Sequence, residues 1–261
     1  MAQMVEQQRI SLQPRHTPGA AVVQQGACSW RLEIPAGASG QYRLAQIDDY
    51  SSLPRSRLPW QAPLRLSLRA RASADGLPGT WGFGLWNDPF SLSLGLGGMS
   101  RRLPALPRAA WFFYASPQNY LSFRDDLPAQ GFLAATFAAA SLPPPLMALG
   151  SLLLPMMLIP PAGKRLRRVV QSRVAQGAGL VDVDVTQWHS YALEWQPGEV
   201  SFWIDEKMTY TTQAAPSGKL GLVLWIDNQY AAWTPDGRLR YGFLANPQPA
   251  YLEIDDIAIK D

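Results

Sequence analysis

The chain has 261 residues, among them 23 prolines and 21 glycines, and its formal net charge is +3. This length fits one large β domain or two small ones, and so many prolines and glycines exclude a mainly helical protein. The nearly neutral charge argues against a nucleic-acid-binding protein, and the single cysteine, Cys28, excludes an internal disulfide and a cysteine-rich metal site.

Strand patterns dominate the chain from residue 40 onward. Residues 1–39 are predicted to form an N-terminal arm or the first strands, and residues 1–9 lack the apolar core of a secretory signal, so we expect a cytoplasmic protein. Residues 64–72, LRLSLRARA, alternate apolar and polar side chains, as a half-solvated antiparallel strand does. This pattern predicts an all-β, two-sheet antiparallel jelly-roll sandwich over residues 40–261. Further strands are predicted at residues 42–47, 80–86, 110–114, 120–124, 181–185, 189–195, 200–204, 207–211, 220–226 and 252–260.

A charge-free stretch at residues 127–163 interrupts the strand pattern. It contains two apolar runs, residues 132–142 and 146–159, separated by three consecutive prolines. As helices these runs would reach roughly 16 and 21 Å, whereas the hydrocarbon core of a bilayer is ~30 Å thick, so neither run can span it. Because the prolines prevent one continuous helix, we expect an apolar, helical hairpin inserted in the sandwich at residues 127–168.

Four cations lie within the five residues that follow the charge-free stretch, 164–168. The hairpin could enter one leaflet of a membrane with these cations on anionic headgroups, or it could cover an apolar cleft as a lid. The alternative is an insertion that is buried in the core or at a homodimer contact. The residues expected to contact a membrane are Phe132, Phe137, Leu146, Leu153, Met156, Lys164, Arg165, Arg167 and Arg168.

Motifs of a known superfamily occupy the C-terminal half. Residues 188–205, WHSYALEWQPGEVSFWID, resemble the WHxYxxEWxPxxxxFxxDG hairpin of the concanavalin A-like lectin/glucanase superfamily, especially of laminarinase-type glycoside hydrolases. Residues 251–259, YLEIDDIAI, are similar to the closing strand xLEIDDIxV of that family, and residues 66–86 are similar to its strand pair xxEARxKxxxGxWxxFWL. The resemblance covers residues 40–260 and implies the same sandwich fold.

The chain departs from this family at the catalytic strand. Glucanases of this type carry an E-x-D-x-E strand, in which one glutamate attacks the anomeric carbon and another, ~5.5 Å away, protonates the leaving oxygen. The corresponding residues 109–116 read AAWFFYAS and contain no carboxylate. A retaining glycosidase of that design is therefore not expected.

Aromatic residues in place of these carboxylates predict an apolar trough on the concave sheet. Trp86 shares one face of its strand with Gly82 and Gly84, and we interpret this as a large ring beside space for a ligand. Stacked sugars, an acyl chain or an isoprenoid would suit such a trough. The residues expected to bind the ligand are Trp86, Asn87, Trp111, Phe113, Tyr114, Trp225, Asn228, Tyr230 and Trp233.

Aspartates near predicted strand ends are the candidate catalytic groups. Asp88 and Asp227 each follow a predicted strand, and we expect them to converge with Asn228 at one rim of the trough. Asp48 and Asp49 form a second, paired site. Desolvation would raise the pKa of such a carboxyl group toward neutrality, as general-acid catalysis on an alkene, epoxide or enol ether requires. The alternative role of each aspartate is to cap a turn.

Three functions fit these observations. The first is a membrane-associated protein that binds an apolar or amphipathic ligand, isoprenoid or lipid-like, and that as an enzyme would carry out lyase, isomerase or cyclase chemistry by acid catalysis. The second is a carbohydrate-binding module derived from a glucanase, and the third is a structural subunit of a membrane complex. Residues 95–98, GLGG, lack the context of a phosphate-binding loop, and His16 lies far from His189 in sequence, so we expect neither a cofactor nor a metal.

Overall fold

The structure is a computed structural model, and it describes residues 11–89, 105–140 and 158–260. Within these ranges the chain forms sixteen strands and one α-helix, α1, at Pro160–Gln171. The strands are β1 Gln13–His16, β2 Ala21–Gln24, β3 Trp30–Ile34, β4 Leu44–Asp48, β5 Leu64–Ala72, β6 Thr80–Trp86, β7 Ala109–Ala115, β8 Gly131–Ala139, β9 Val174–Leu180, β10 His189–Gln196, β11 Glu199–Ile204, β12 Lys207–Thr212, β13 Gly221–Asp227, β14 Gln229–Trp233, β15 Leu239–Phe243 and β16 Ala250–Lys260.

Two antiparallel sheets of seven strands each pack face to face. Sheet A has the order β1-β4-β13-β6-β7-β8-β9, and sheet B has the order β12-β11-β10-β5-β16-β3-β2. Strands β14 and β15 form a separate hairpin. The predicted two-sheet antiparallel sandwich is therefore confirmed.

Strand alternation fills the space between the sheets. On β5, Leu64, Leu66 and Leu68 are buried, whereas the residues between them are exposed or half-buried. Phe83 of β6 and Phe112 of β7 belong to the same core cluster on the side of sheet A. Full burial of one such side chain contributes roughly 1.5–3 kcal/mol, so this core supplies much of the stability.

Two of the motifs that resemble the glucanase superfamily, residues 188–205 and 251–259, lie in sheet B. Residues 188–205 contain the hairpin β10–β11, in which Tyr191 pairs with Ile204 and Gln196 pairs with Glu199. Its turn has Gly198 at φ +88°, a conformation that side chains with a Cβ rarely adopt. The closing strand is β16, which pairs with both β3 and β5 in the middle of the sheet.

The first apolar run differs from the predicted helical arm, because it forms strand β8 in sheet A. Phe132 is buried between the sheets and Phe137 is buried on the opposite face, with 6% and 8% of their surfaces exposed. Neither residue can contact a membrane, so that prediction is wrong for both. A short apolar run has the same pattern in a strand buried on both faces as in a buried helix. The predictions for Leu146, Leu153 and Met156 lie outside the described residues.

Several strand predictions also differ from the structure. Residues 120–124 form a loop with one bridge from Tyr120 to Ala232, and the strand expected at residues 181–185 lies earlier, as β9. Strands β1, β2 and β3 are short, and most of their residues are exposed or half-buried, so they lack a clear burial pattern. Within the described ranges, every helix is too short or too polar to cross a bilayer.

A buried arginine attaches α1 to the sandwich. Only 1% of the surface of Arg167 is exposed. Its guanidinium donates hydrogen bonds to the backbone oxygens of Ser122 and Trp233, at 2.9 and 2.8 Å, and to the carboxylate of Asp125 at 2.9 Å. The predicted membrane contact is therefore wrong for Arg167, because its charge is already matched inside the protein.

We expect Arg167→Met to lower the free energy of unfolding by about 2–3 kcal/mol, because two buried carbonyl oxygens lose their donors. Urea denaturation followed by tryptophan fluorescence would measure this change. The matched control is Arg168→Met, one residue along the same helix and exposed to solvent, which should change stability by no more than about 0.5 kcal/mol. Equal losses in the two variants would contradict the attachment role of Arg167.

Candidate functional site

The outer face of sheet A, which is turned away from sheet B, carries a cluster of aromatic rings. On β7, Trp111 and Phe113 point to this face, whereas Phe112 and Tyr114 point into the core between the sheets. Tyr114 stacks there on Trp81, with ring centroids 5.6 Å apart. The prediction that Tyr114 binds a ligand is therefore wrong, because alternation along β7 turns its side chain to the interior.

Trp111 lies at the centre of this cluster. Its ring centroid is 5.4 Å from those of Phe113 and Trp225, 5.9 Å from that of Trp86 and 6.2 Å from that of Phe137. Aromatic pairs at these distances attract each other beyond simple burial of area. We call these five residues the aromatic floor. The structure thus brings together four residues predicted to line a trough, and it adds Phe137.

The space beside the glycines of β6 is occupied by neighbouring residues and is not open to a ligand. A Cβ added to Gly82 would lie 2.9 Å from the Cη2 atom of Trp225, and one added to Gly84 would lie 2.5 Å from the Cβ atom of Trp111. The expectation that these glycines leave room for a ligand beside Trp86 is therefore wrong. They allow the ring of Trp225 and the backbone of Trp111 to approach β6 closely.

Buried hydrogen-bond donors lie within and beside the aromatic floor. The indole Nε1 atoms of Trp111 and Trp233 and the amide Nε2 atom of Gln176 have no acceptor within the described parts of the chain. Gln176 is fixed because its Oε1 atom accepts a hydrogen bond from the backbone nitrogen of Phe123 at 2.9 Å. The ring of Phe123 contacts both Phe137 and Trp233, at 5.7 and 6.2 Å. We call Trp111, Gln176 and Trp233 the donor cluster.

Sequence reasoning missed Gln176 and Phe123. Gln176 is the polar residue among the outward positions of β9, which it shares with Val174, Ala178 and Leu180. Alternation would have identified it if β9 had been predicted. Phe123 lies in a loop, where no periodic pattern indicates which way a ring points.

The hairpin β14–β15 carries two further residues that were predicted to bind a ligand. Trp233 is half-buried, and its backbone nitrogen donates to the oxygen of Tyr120 at 3.1 Å. Tyr230 is also half-buried, and its ring lies over Gly242, where an added Cβ would be 2.9 Å from a ring carbon. Of this pair, Trp233 belongs to the donor cluster.

Asp88 and Asp227 do not converge at one rim. Strands β6 and β13 are antiparallel, with Thr80 opposite Asp227 and Trp86 opposite Gly221. Asp88 follows Trp86, so it lies at the other end of β6, ~20 Å away at ~3.4 Å per residue. The predicted shared rim is therefore wrong, since neighbouring antiparallel strands end at opposite edges of a sheet.

Asp48 and Asp49 are engaged in structural hydrogen bonds. The carboxylate of Asp48 accepts from Gln46 Nε2 at 2.8 Å and from the backbone nitrogen and hydroxyl of Ser51 at 2.8 and 2.6 Å, which closes a turn. The carboxylate of Asp49 accepts from Trp60 Nε1 at 2.5 Å, and burial raises its pKa to about 6. The turn-capping alternative thus describes Asp48. Its side chain lies on the outer face of sheet A, since Asp48 pairs with Val223 of β13, but its oxygens are taken by these hydrogen bonds.

Two asparagines that were expected to bind a ligand are saturated by the main chain. Asn228 is fully buried and accepts a hydrogen bond from the backbone nitrogen of Arg43 at 2.8 Å. It donates to the oxygens of Gln41 and Leu244 at 2.9 and 2.7 Å. Asn87 is also buried and bonds to backbone groups through both amide atoms. The ligand-binding prediction is therefore wrong for these asparagines, because they hold loops in place.

The carboxyl group of Asp227 has a raised pKa, as acid–base chemistry near neutral pH requires. It is 7% exposed, and its Oδ1 atom accepts from the Thr80 hydroxyl at 2.8 Å and from the backbone nitrogen of Gln229 at 3.2 Å. Burial raises its pKa to about 7, although these hydrogen bonds and one from Tyr42 act in the opposite direction. Trp225 Nε1 donates to the same hydroxyl at 3.0 Å, so Asp227 borders the aromatic floor.

Metal coordination is not indicated in the part of the chain that the structure covers. Among those residues, no group of three histidine, cysteine, aspartate or glutamate side chains could hold a metal ion.

The chain is similar in structure to several solved proteins. No family model and no curated protein matches the chain. One similar structure comes from work on endo-acting O-glycanases of the human gut microbiota, with 12% identity, a TM-score of 0.48, and coverage of 93% of this chain and 82% of that chain. Another is the β-glucanase of Bacillus licheniformis, with 9% identity, a TM-score of 0.47, and coverage of 95% and 92%. A third is LamAcat from Zobellia galactanivorans, with 12% identity, a TM-score of 0.46, and coverage of 92% and 79%.

We expect Gly84→Ala to destabilise the protein by about 2–3 kcal/mol, because the new methyl group would overlap the backbone and Cβ of Trp111. Thermal and urea unfolding would measure the loss, and near-ultraviolet circular dichroism would report the displaced indole. The control is Gly26→Ala in an exposed loop, where the nearest atom is 3.3 Å from the added Cβ. A Gly84→Ala protein as stable as this control would contradict the close packing of the floor.

We expect Asp227→Asn to flatten the pH dependence of stability. The pKa of Asp227 is raised from 3.8 to about 7, so the folded state keeps a proton that the unfolded chain has already released. Wild-type stability should therefore fall as the pH rises from about 4 to about 7, by up to about 4 kcal/mol from this group, and the variant should lack that fall. Urea denaturation at several pH values would test this, and parallel profiles for the two proteins would contradict it.

Proposed function

We propose that the protein binds carbohydrate on the outer face of sheet A and does not hydrolyse it. The observation that carries this proposal is the aromatic floor together with the donor cluster at its border. The similarity of residues 188–205 and 251–259 to laminarinase-type glycoside hydrolases supports the same ligand class. The alternative outlined from the sequence, a binding module derived from a glucanase, is thus preferred over a membrane-associated lipid-binding protein.

The aromatic floor provides flat surfaces on which sugar rings can stack. Trp86 and Trp111 are half-buried, so part of each indole reaches the surface, while Phe113, Phe137 and Trp225 support them with less than a tenth of their area exposed. The faces of pyranose rings carry C–H groups, which pack on indole rings in the same way as other apolar groups. Binding sites of this kind combine such aromatic surfaces with a few polar groups that set orientation.

The donor cluster favours a sugar over a hydrocarbon. Trp111, Gln176 and Trp233 each present a buried N–H group without an acceptor in the described ranges. A buried donor without a partner costs roughly 1–3 kcal/mol, and a ligand that supplies an acceptor would recover this energy. Sugar hydroxyl and ring oxygens are acceptors, whereas an isoprenoid or an acyl chain has none.

The outward residues of β7 argue against hydrolysis. They are Ala109, Trp111, Phe113 and Ala115, on the strand that corresponds to the catalytic strand of the resembled family. A retaining mechanism needs two carboxyl groups ~5.5 Å apart on one face. Asp227 borders the floor, but among the described residues its candidate partners are too distant. Asp88 lies at the far end of β6, and Asp48 lies opposite Val223, four residues or roughly 14 Å along β13 from Asp227.

An apolar or amphipathic ligand on the same face is the second candidate. Hydrocarbon side chains surround the floor, including Leu133, Ala135 and Val223. Asp227, with a pKa of about 7, would be protonated in part near neutral pH and would supply the proton for acid-catalysed chemistry.

We expect the protein to bind β-linked glucan oligosaccharides, and Trp111→Phe to weaken that binding roughly 10-fold, because the ring stays while the indole donor is lost. A glycan array would select the ligand, and titration calorimetry would measure the affinity. The matched control is Trp203→Phe, because Trp203 also has a buried indole nitrogen without an acceptor but lies on β11 of sheet B.

The outcomes separate the candidate functions. An equal loss of affinity in the Trp111→Phe and Trp203→Phe variants would contradict a binding site on the outer face of sheet A. If the array shows no binding and an isoprenoid displaces a bound fluorescent fatty acid, the apolar ligand becomes the preferred candidate in place of carbohydrate. Release of reducing ends from a bound oligosaccharide would contradict the non-hydrolytic role.

A further inference from the structure

We infer that the outward face of helix α1 docks on an anionic lipid bilayer. This inference concerns a surface that does not include the aromatic floor, and it does not depend on carbohydrate binding. It rests on the exposed cations and exposed aliphatic side chains that the fold presents together at this helix.

The helix has one buried face and one cationic face. Gly163 and Arg167 are buried against the protein, whereas Lys164, Arg165 and Arg168 are exposed. At about 100° per residue, Arg165 and Arg168 lie roughly 180° and 120° from the midpoint of the two buried residues, and Lys164 lies at the flank, roughly 80° away. The charge is therefore directed outward by the same helix turn that buries Arg167.

Aliphatic side chains accompany these cations. Leu158, Ile159 and Val169 are 70%, 58% and 56% exposed. Helices that lie in the interface of a membrane combine basic residues with apolar side chains that enter the boundary between headgroups and acyl chains. A nucleic acid would require the cations alone. The aliphatic residues therefore favour a bilayer as the occupant of this face.

Two of the exposed cations repel each other along the helix. The first turn of α1 has no acidic residue to balance them, although Arg168 lies in the last turn, where the helix dipole favours a cation. Lys164 and Arg168 are four residues apart, a spacing at which like charges repel. Residues 127–181 contain no aspartate or glutamate to offset them in sequence. An anionic surface would relieve this repulsion.

Neighbouring acidic residues are already neutralised by other arginines. In the described part of the chain, neither Lys164 nor Arg165 nor Arg168 forms an ion pair, so their charge is available to a partner. The acids on the loops beside the helix pair as Asp125 with Arg167 at 2.9 Å, Asp126 with Arg124 at 2.5 Å, and Asp236 with Arg238 at 3.2 Å.

The helix is held in a fixed position, which favours docking without further ordering. Arg167 bonds to the loop at residues 122–125, and the turn of the β14–β15 hairpin packs against the start of α1. A Cβ added to Gly237 in that turn would lie 2.2 Å from the backbone oxygen of Pro160. A surface that is already ordered loses less conformational entropy on binding.

Flotation of the full chain with lipid vesicles would test the inference. We expect binding to vesicles of phosphatidylcholine with about 30% phosphatidylserine, weakening with salt, and no binding to phosphatidylcholine alone. The triple variant Lys164→Gln, Arg165→Gln, Arg168→Gln should bind roughly 100-fold more weakly. The matched control, Lys207→Gln, Lys219→Gln, Lys260→Gln, loses the same charge at exposed sites away from α1 and should bind like the wild type.

A second pair of substitutions tests the aliphatic contribution. Ile159→Ser with Val169→Ser keeps every charge and should weaken vesicle binding roughly 10-fold. Wild-type protein that ignores anionic vesicles, or a triple variant that binds as well as its control, would overturn the inference. Tighter binding to duplex DNA than to anionic vesicles would also overturn it. Trp111→Phe should leave vesicle binding unchanged, which separates this result from the carbohydrate proposal.

Discussion

Sheet A must bury apolar side chains on both of its faces, and this requirement determines most of the features around the candidate site. Its inner face packs on sheet B, and its outer face packs on its own rings. Gly82 and Gly84 allow this close packing, because an added Cβ would approach the ring of Trp225 at the first and the backbone and Cβ of Trp111 at the second. A larger residue at either glycine would force these groups to move.

This packing limits the chemistry that the outer face can support. The central strand β7 gives the floor two rings and two alanines, so the face offers stacking surfaces instead of a pair of carboxylates. The polar groups within and beside the floor include the donors of Trp111, Gln176 and Trp233 and the carboxyl group of Asp227. Such an arrangement suits recognition of a ligand with apolar faces and polar edges, which describes a sugar ring better than a hydrocarbon chain.

Helix α1, unlike the mainly apolar outer face of sheet A, exposes charged side chains. Its sequence has several cations close together, and the fold buries Arg167 among matched acceptors while it exposes Lys164, Arg165 and Arg168. The buried cation stabilises the attachment of the helix, and the exposed ones create a basic surface. The two proposals therefore use separate parts of the molecule. One would recognise a glycan on sheet A, and the other would hold the protein at an anionic bilayer.

Alternation and turn residues are local properties of the chain, so they were enough to predict the sandwich, the β10–β11 hairpin and a β7 strand without carboxylates. They also identified four of the five floor residues, since residues two apart on a strand share a face. The pairing of distant strands was needed to show that Tyr114 points inward, that β8 is a strand, and that Asp88 and Asp227 lie near opposite ends of β6. Local periodicity shows which residues share a face, but strand pairing decides which face is covered and which strand ends meet. The role of Arg167 could not be predicted for the same reason, because its acceptors come from a loop and a hairpin distant in sequence.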